Sequence, residues 1–151
     1  MKIIKLTQNQ FTKVDNEDFE RLNKHKWCFD GDYAVRRKNR KKTYMHREIM
    51  KAKKGKMIDH KNHDSLDNRK GNLRFCTQAQ NLRNKGKPVT NTSGFVGVTK
   101  AKHLIKKPWV ARIKFKQKNY YLGVYETPEQ ASEAYKKATK KYFGEFAYPF
   151  L

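Results

Sequence analysis

Cysteine and long apolar runs are scarce in this chain of 151 residues. Cys28 and Cys76 are its two cysteines, and they form no CxxC pair, which argues against a structural zinc site or a disulfide framework. Two lone thiols are typical of a reducing compartment. The chain has no apolar run of the roughly 18 residues that a membrane span needs, and "MKIIKLTQNQ" lacks the apolar core of a signal peptide. We therefore expect a cytoplasmic protein with no membrane partner.

Acidic residues are also few, with 14 Asp+Glu against 36 Lys+Arg, so the formal net charge is +22. Such a charge repels itself within a compact fold and therefore indicates a polyanionic partner, most simply nucleic acid. Aromatic residues make up 13% of the chain, which indicates a folded protein and not a disordered basic tail. The length allows one ordinary domain or two small ones. Nothing indicates an obligate protein partner, and we expect a monomer.

The first part of the chain alternates short strands and short helices. "KIIKLTQ" predicts a strand, "DNEDFERLNKHK" predicts a helix with Asp15 at its N-cap, and "KWCFDGDYAVRR" predicts a hairpin. A short helix over "HREIMKAK" is expected to end near Gly55. The run "RRKNRKK" is either a solvated loop or a loop that contacts phosphate. We favour the second interpretation, with Arg36 and Arg37 as DNA contacts.

Short polar side chains are concentrated in "MIDHKNHDSLDNRKGNLRFCTQAQN", residues 57–81. The pattern predicts a strand, a loop, a second strand, and a helix that begins at Gln78 behind a capping box. This order brings four side chains into one concave cluster: Asp59, His60, Asn72 and Asn81. The cluster can hold one hard cation through oxygen ligands and can present one imidazole as a general base. From the residues alone, a polar loop remains equally open as an interpretation.

Phosphodiester hydrolysis needs both a base and a cation that stabilises charge on the phosphate. The base would be His60, and the side-chain oxygen of Asn72 would hold one of its ring nitrogens. Asp59 and His60 are neighbours, so they can serve one site only if their strand ends or twists there. We expect His46 to be structural or to face phosphate. We expect His63 to be an exposed loop residue, with an auxiliary phosphate contact as the alternative. The other short polar residues of the loop are expected to build turns: Asn62, Asp64, Asp67 and Asn68.

Together, "MHREIM" and "KMIDHKNHDSLDNRKGNLRFCTQAQN" resemble the HNH homing endonucleases of phages and mobile introns. The resemblance covers roughly residues 44–85 and implies a ββα-metal finger that binds one Mg²⁺ or Mn²⁺ ion. It implies Asp59 and Asn81 as metal ligands, His60 as the general base and Asn72 as the middle asparagine. Asn81 stands where many relatives have His. The segment "VDNEDFERLNKHKWCFDGDYAVRR" resembles a region that often precedes this finger in phage proteins.

The pattern changes beyond "NKGKPVTNTSG", residues 84–94, which is typical of a linker. "GFVGVTK", "PWVARIKFK" and "NYYLGVYE" predict three strands, and "TPEQ" predicts a helix with Thr127 at its N-cap and Pro128 at its first position. The middle strand has one apolar and one largely basic face, because Trp109, Ala111, Ile113 and Phe115 alternate with Val110, Arg112, Lys114 and Lys116. We expect the helix to cover the apolar face.

This last segment resembles the Apetala-type (ethylene-response-factor) DNA-binding domain from Ser93 to about Ala147, through "GV", "WVARI", "YLGVYET", "EQASEAY" and "FGEFA" in order. The resemblance implies a three-stranded antiparallel sheet that reads the major groove of DNA. The matching contact positions are Thr99, Arg112, Lys114, Asn119 and Tyr121. Val96 and Thr99 stand where plant relatives usually have arginine, the commonest reader of guanine, so the plant target sequence does not transfer.

We therefore predict an α+β chain in four segments: a β-rich region over 1–43, an HNH finger over 44–85, a linker over 86–92 and a DNA-binding domain over 93–148. The predicted function is that of a metal-dependent DNA endonuclease from a phage or mobile element, acting on double-stranded DNA in the cytoplasm of a bacterial host. Two alternatives remain open. One is a DNA-binding regulator without catalysis, and the other is an RNA-binding or ribosome-associated basic protein.

Overall fold

The computed structural model describes residues 1–83 and 91–147, which divide into two compact units, Met1–Ala79 and Gln80–Leu151. The predicted linker falls largely on residues 84–90, which lie outside the described residues. The division between the units falls within a helix, whereas the sequence predicts a boundary after that helix. Across residues 1–83 and 91–147, no helix combines the length and apolar character that a membrane crossing requires.

The first unit is built from short strands and short helices. The predicted elements occur in the predicted order, and two further strands, Phe11–Val14 and Lys41–Tyr44, are present that the sequence does not predict. Its strands are β1 (Lys2–Lys5), β2 (Phe11–Val14), β3 (Cys28–Phe29), β4 (Ala34–Lys38), β5 (Lys41–Tyr44), β6 (Met57–His60) and β7 (Leu73–Cys76). Its helices are α1 (Asn16–Asn23) and α2 (Met45–Ile49), and a 3-10 turn spans Lys70–Asn72. Helix α3 (Gln78–Arg83) crosses into the second unit.

The strands of the first unit form three small antiparallel sheets: β1–β2, β3–β4–β5 and β6–β7. One apolar core lies among them and includes Val14, Leu22, Trp27, Met45 and Leu73. Because residues from β2, α1, α2 and β7 meet in this core, the β6–β7 pair is anchored to the N-terminal region. The α+β class is therefore confirmed.

Helix α1 begins where the sequence predicts, with Asp15 at its N-cap position. The Asp15 side chain makes no capping bond, and its Oδ2 accepts a hydrogen bond from the backbone N–H of Lys70. Helix α2 ends at Ile49, well before the predicted end near Gly55. Beyond it the chain turns at Lys51, whose φ is +46°, and the Arg47 guanidinium binds carbonyl oxygens of the turning segment.

The basic run "RRKNRKK" is a hairpin between β4 and β5, not a loop. Asn39 and Arg40 have φ angles of +49° and +62°, as in a two-residue hairpin turn. The Arg36 guanidinium donates two hydrogen bonds to Glu48 Oε2, at 3.1 and 2.9 Å, and lies over the Trp27 ring. Arg36 therefore ties β4 to α2, whereas Arg37 is exposed. A phosphate contact by either arginine stays a prediction.

The second unit is a three-stranded antiparallel sheet packed on one helix, as the sequence predicts. Its elements are β8 (Val98–Lys100), β9 (Trp109–Phe115), β10 (Lys118–Tyr125), α4 (Pro128–Phe143) and a 3-10 turn (Gly144–Phe146). The sheet order is β10–β9–β8. Thr127 Oγ1 accepts from the N–H of Gln130, and Pro128 opens the helix, so the predicted N-cap is confirmed.

The two faces of this sheet differ as the alternation predicts. Ala111 and Ile113 are buried in clusters with Ala131, Tyr135 and Ala138 of α4. The residues of the opposite face that the sequence assigns to DNA binding are all exposed: Thr99, Arg112, Lys114, Asn119 and Tyr121. The sheet therefore has one covered apolar face and one open basic face.

Gly97 comes directly before β8 and lies against Tyr135 of α4. Its φ is +72°, and a Cβ atom there would overlap the ring of buried Tyr135. We expect Gly97→Ala to destabilise the second unit by about 2–4 kcal/mol, because backbone strain and overpacking add. Hydrogen exchange of the β9 amides measures this loss.

Gly94→Ala is the matched control for Gly97→Ala. Gly94 has a similar φ of +81°, but a Cβ atom there would meet nothing within 4 Å. Backbone strain alone predicts a loss of about 1–2 kcal/mol. Equal effects of the two substitutions would contradict the close contact with Tyr135.

Candidate active site

Asp59 and His60 are the last two residues of β6, and both are buried, each with 7% of its surface exposed. The strand thus ends at His60. A strand end is one of the two ways in which these neighbouring residues could serve the same site. Their contacts differ. Asp59 Oδ2 accepts from Arg74 Nε at 2.8 Å and Nη2 at 2.7 Å, across the register pair that joins β6 to β7. His60 contacts Asn68 and a group of aromatic rings.

The rings around His60 come from the turn before β4, the end of β5 and the start of α2. The His46 ring lies edge-on to His60, with centroids 5.3 Å apart, and the Tyr33 centroid is 6.1 Å from His60. Tyr44 packs on His46 at 5.5 Å. Burial lowers the pKa of His60 below its ordinary value, although the hydrogen bond with Asn68 and the charge of Asp59 oppose this. His60 is therefore neutral near pH 7, the state that a general base requires.

His46 makes the first unit sensitive to acid. Burial lowers its pKa from 6.5 to about 4, and the neighbouring His60 and Arg47 add to this. The unfolded chain binds this proton below about pH 6.5, whereas the folded chain resists it down to about pH 4, so stability falls as pH drops through that window. The loss from this one group is about 3 kcal/mol.

The variant His46→Phe tests this pH dependence, because it keeps an aromatic ring and removes the titrating group. We expect the difference in unfolding free energy between pH 7 and pH 4.5 to shrink by about 2 kcal/mol or more, measured by urea unfolding. His60 contributes in the same direction, so some dependence persists. A pH dependence as large as that of the wild type would contradict the neutral state of buried His46.

The predicted contact between Asn72 and His60 is wrong, and Asn68 makes it instead. His60 Nε2 lies 3.3 Å from Asn68 Oδ1. Within the described part of the chain, the Asn72 side chain accepts from the N–H of Asn62 at 3.1 Å and donates to the carbonyl of Asp67 at 2.8 Å. Asn72 ends the 3-10 turn before β7, so its amide is positioned to satisfy backbone groups of the loop.

Turn building is confirmed for Asn62, Asp64 and Asp67. Their side-chain oxygens accept from the N–H groups of the residues two positions later. Asn68 does not share this role. It is 1% exposed, and its side chain forms hydrogen bonds with the side chains of His60 and Thr12. Nothing in the neighbouring sequence predicts these contacts.

Asn81 lies in α3, beyond the division between the two units, and Asp59 lies in the first unit. That Asp59 and Asn81 bind the same metal ion stays a prediction. Residues 1–83 and 91–147 contain no group of three or more His, Cys, Asp or Glu side chains that could hold a metal. The predicted ligands, one carboxylate and one amide oxygen, would not form such a group. Oxygen ligands of this type are hard donors, which suit Mg²⁺ or Mn²⁺.

The open face of the second unit brings the other predicted contact residues together. Arg112 of β9 pairs with Tyr121 of β10, and Lys114 pairs with Asn119. Thr99 of β8 is on the far side of β9, where it pairs with Val110. Tyr121 is 62% exposed. Two cations, an amide and an exposed ring thus share one surface.

A family model described as HNH endonuclease matches residues 43–83. No curated protein and no solved structure matches the chain. The comparisons thus give no support to the homing type or to the Apetala-type resemblance. The matched range includes α2, β6, β7 and α3, and with them Asp59, His60, Asn72 and Asn81. Residues 43–83 are therefore an HNH endonuclease family domain, which indicates a nuclease that acts on DNA.

Proposed function

We propose that this protein is a metal-dependent DNA endonuclease whose chemistry is centred on His60. The observation that carries the proposal is a buried imidazole, whose pKa burial lowers, beside a buried carboxylate at the end of β6, within an HNH endonuclease family domain. His60 takes a proton from the attacking water. In this proposal Asn81 is the second metal ligand, while Asn72 stabilises the loop.

Asp59 and Asn81 would hold one Mg²⁺ or Mn²⁺ ion. Such an ion, when bound, stabilises negative charge on the scissile phosphate and the departing oxygen. Arg74 orients the Asp59 carboxylate through two hydrogen bonds to Oδ2. The buried position of both side chains keeps that orientation fixed.

The second unit would hold double-stranded DNA on its open sheet face. The resemblance to the Apetala-type domain supports this, and so does the exposed set that includes Arg112, Lys114 and Tyr121. A finger of about 40 residues contacts few base pairs, so a tethered second unit raises the effective concentration of DNA at the site. The resemblance to phage and intron enzymes supports action on DNA in a bacterial cytoplasm, and we propose that the protein acts as a monomer.

A DNA-binding regulator without catalysis is the second candidate function. The observation that favours it is the buried ion pair between Asp59 and Arg74, since Arg74 already neutralises the carboxylate assigned to the metal. Under this alternative the first unit would bind phosphate only, and the second unit would recognise the site.

Cleavage of supercoiled plasmid distinguishes the two functions. Wild-type protein with Mg²⁺ or Mn²⁺ is expected to convert the plasmid to nicked or linear forms, and EDTA is expected to stop the reaction. Phage genomic DNA serves as a second substrate, because a plasmid can lack the recognised site. Both DNAs left intact over a wide range of protein concentration, together with tight binding, would establish the regulator.

The double variant Arg112→Ala/Lys114→Ala tests the proposed DNA-binding face. We expect weaker DNA binding and a salt dependence of log K that is less steep by up to about 1.8, because two phosphate contacts are lost. Fluorescence anisotropy of labelled duplex DNA at several salt concentrations measures both.

Lys137→Ala/Lys140→Ala is the matched control, since these exposed lysines lie on α4, the helix that covers the other face of the sheet. It removes the same charge and is expected to have a smaller effect. An equal loss in both double variants would mean that net charge, and not the sheet face, determines binding.

A further inference from the structure

Three buried polar side chains form a hydrogen-bonded chain from β2 to His60. The Thr12 hydroxyl donates to the carbonyl oxygen of Leu66 at 2.7 Å. Asn68 Nδ2 donates to Thr12 Oγ1 at 2.8 Å, and Asn68 Oδ1 lies 3.3 Å from His60 Nε2. Thr12 is 0% exposed and Asn68 is 1% exposed, so both are shielded from water.

The direction of each hydrogen bond in this chain follows from its first member. A carbonyl oxygen only accepts, so the hydroxyl proton of Thr12 goes to Leu66. Thr12 Oγ1 then has only lone pairs for Asn68, which must present its NH₂ group there and its Oδ1 to His60. Since Oδ1 only accepts, His60 carries its proton on Nε2. In the neutral ring, Nδ1 is then the nitrogen that accepts a proton.

Backbone contacts on both sides of Asn68 keep this chain in register. The N–H of Lys13 donates to the carbonyl of Leu66 at 2.9 Å, and the N–H of Asn68 donates to the carbonyl of Lys13 at 2.8 Å. Lys13 and Asp67 form a parallel β-bridge. The loop between β6 and β7 is therefore attached to β2 at the position where Asn68 reaches His60.

We propose that Thr12 and Asn68 are positioning residues of the nuclease, which hold His60 with its proton on Nε2 so that Nδ1 takes the proton from water. This inference rests on the proposed function. A neutral amide is suited to the role, because it orients the ring without placing a second negative charge beside it. Neither residue is exposed to a substrate, so both act through His60.

The test compares Thr12→Val, which removes the hydroxyl, with Thr12→Ser, which retains it. In Thr12→Val we expect kcat for DNA cleavage to fall by about 10- to 100-fold with KM unchanged, because the ring is no longer oriented. Thr12→Ser is expected to restore most of kcat. Nitrogen-15 NMR of the His60 ring, recorded near pH 8, is expected to show the Nε2–H form in the wild type and a slowly exchanging Nε2–H proton that Thr12→Val loses.

Each outcome bears on a distinct claim. A wild-type ring with its proton on Nδ1 overturns the inference, even if Thr12→Val does not fold. A folded Thr12→Val protein with wild-type kcat also overturns it. Wild-type protein that cuts no DNA overturns the proposed function and with it the catalytic role, whereas the NMR spectrum still decides the hydrogen-bonded chain.

Discussion

His60→Ala is expected to lower the rate of DNA cleavage by about 10²- to 10⁴-fold, the usual contribution of a general base. The imidazole that packs against it, that of His46, is a poor substitute, because it is itself buried and its pKa is lowered to about 4. Single-turnover cleavage with Mg²⁺ in excess measures the chemical step. Because burial lowers the pKa of His60, the wild-type rate is expected to fall off at a lower pH than it would with a base of ordinary histidine pKa.

His63→Ala is the matched control for His60→Ala. His63 is an exposed loop residue three positions later, with a φ of +64°. We expect it to cleave at nearly the wild-type rate. A loss as large as that of His60→Ala would indicate that His63 is needed for the reaction and would contradict the assignment of His60 alone as the general base.

Arg74→Leu is expected to destabilise the first unit by about 3–5 kcal/mol, as when one partner of a buried ion pair is removed. Arg74 and Asp59 are 8% and 7% exposed, and two hydrogen bonds join them. Without the guanidinium, the Asp59 carboxylate loses a cation in a site that water hardly reaches. Urea unfolding monitored by hydrogen exchange of the β6 and β7 amides measures the loss.

The double variant Asp59→Asn/Arg74→Leu separates the charge effect from simple loss of packing. It removes both charges, so we expect it to be more stable than Arg74→Leu alone by about 1 kcal/mol or more. If the double variant were less stable than Arg74→Leu, the unpaired Asp59 carboxylate would not be the cause of the stability lost in Arg74→Leu.

Local signals predicted most of the secondary structure. The capping box before α4 and the alternation along β9 depend on neighbouring residues, and both are confirmed. The end of α2 was harder to predict, because "MKAK" is compatible with a helix. The turn at Lys51 and the Arg47 contacts with later carbonyl groups end it early.

The candidate site was predictable only in part, because its supporting contacts are long-range. Asp59 and His60 follow from a strand that ends at a polar pair. The partner of His60 does not, since Asn68 is held by Thr12, 56 residues earlier in the chain. Spacing alone placed Asn72 beside the imidazole, and nothing in its neighbours distinguishes it from Asn68.

Binding and cutting of one plasmid, followed in the same reaction with Mg²⁺ by wild-type protein and by His60→Ala, test the central claim most directly. We predict that both proteins bind the DNA with similar affinity and that only the wild type cuts it at an appreciable rate. Equal cutting by the two proteins, or binding without any cutting by the wild type on plasmid and on phage DNA, would contradict the assignment of a nuclease centred on His60.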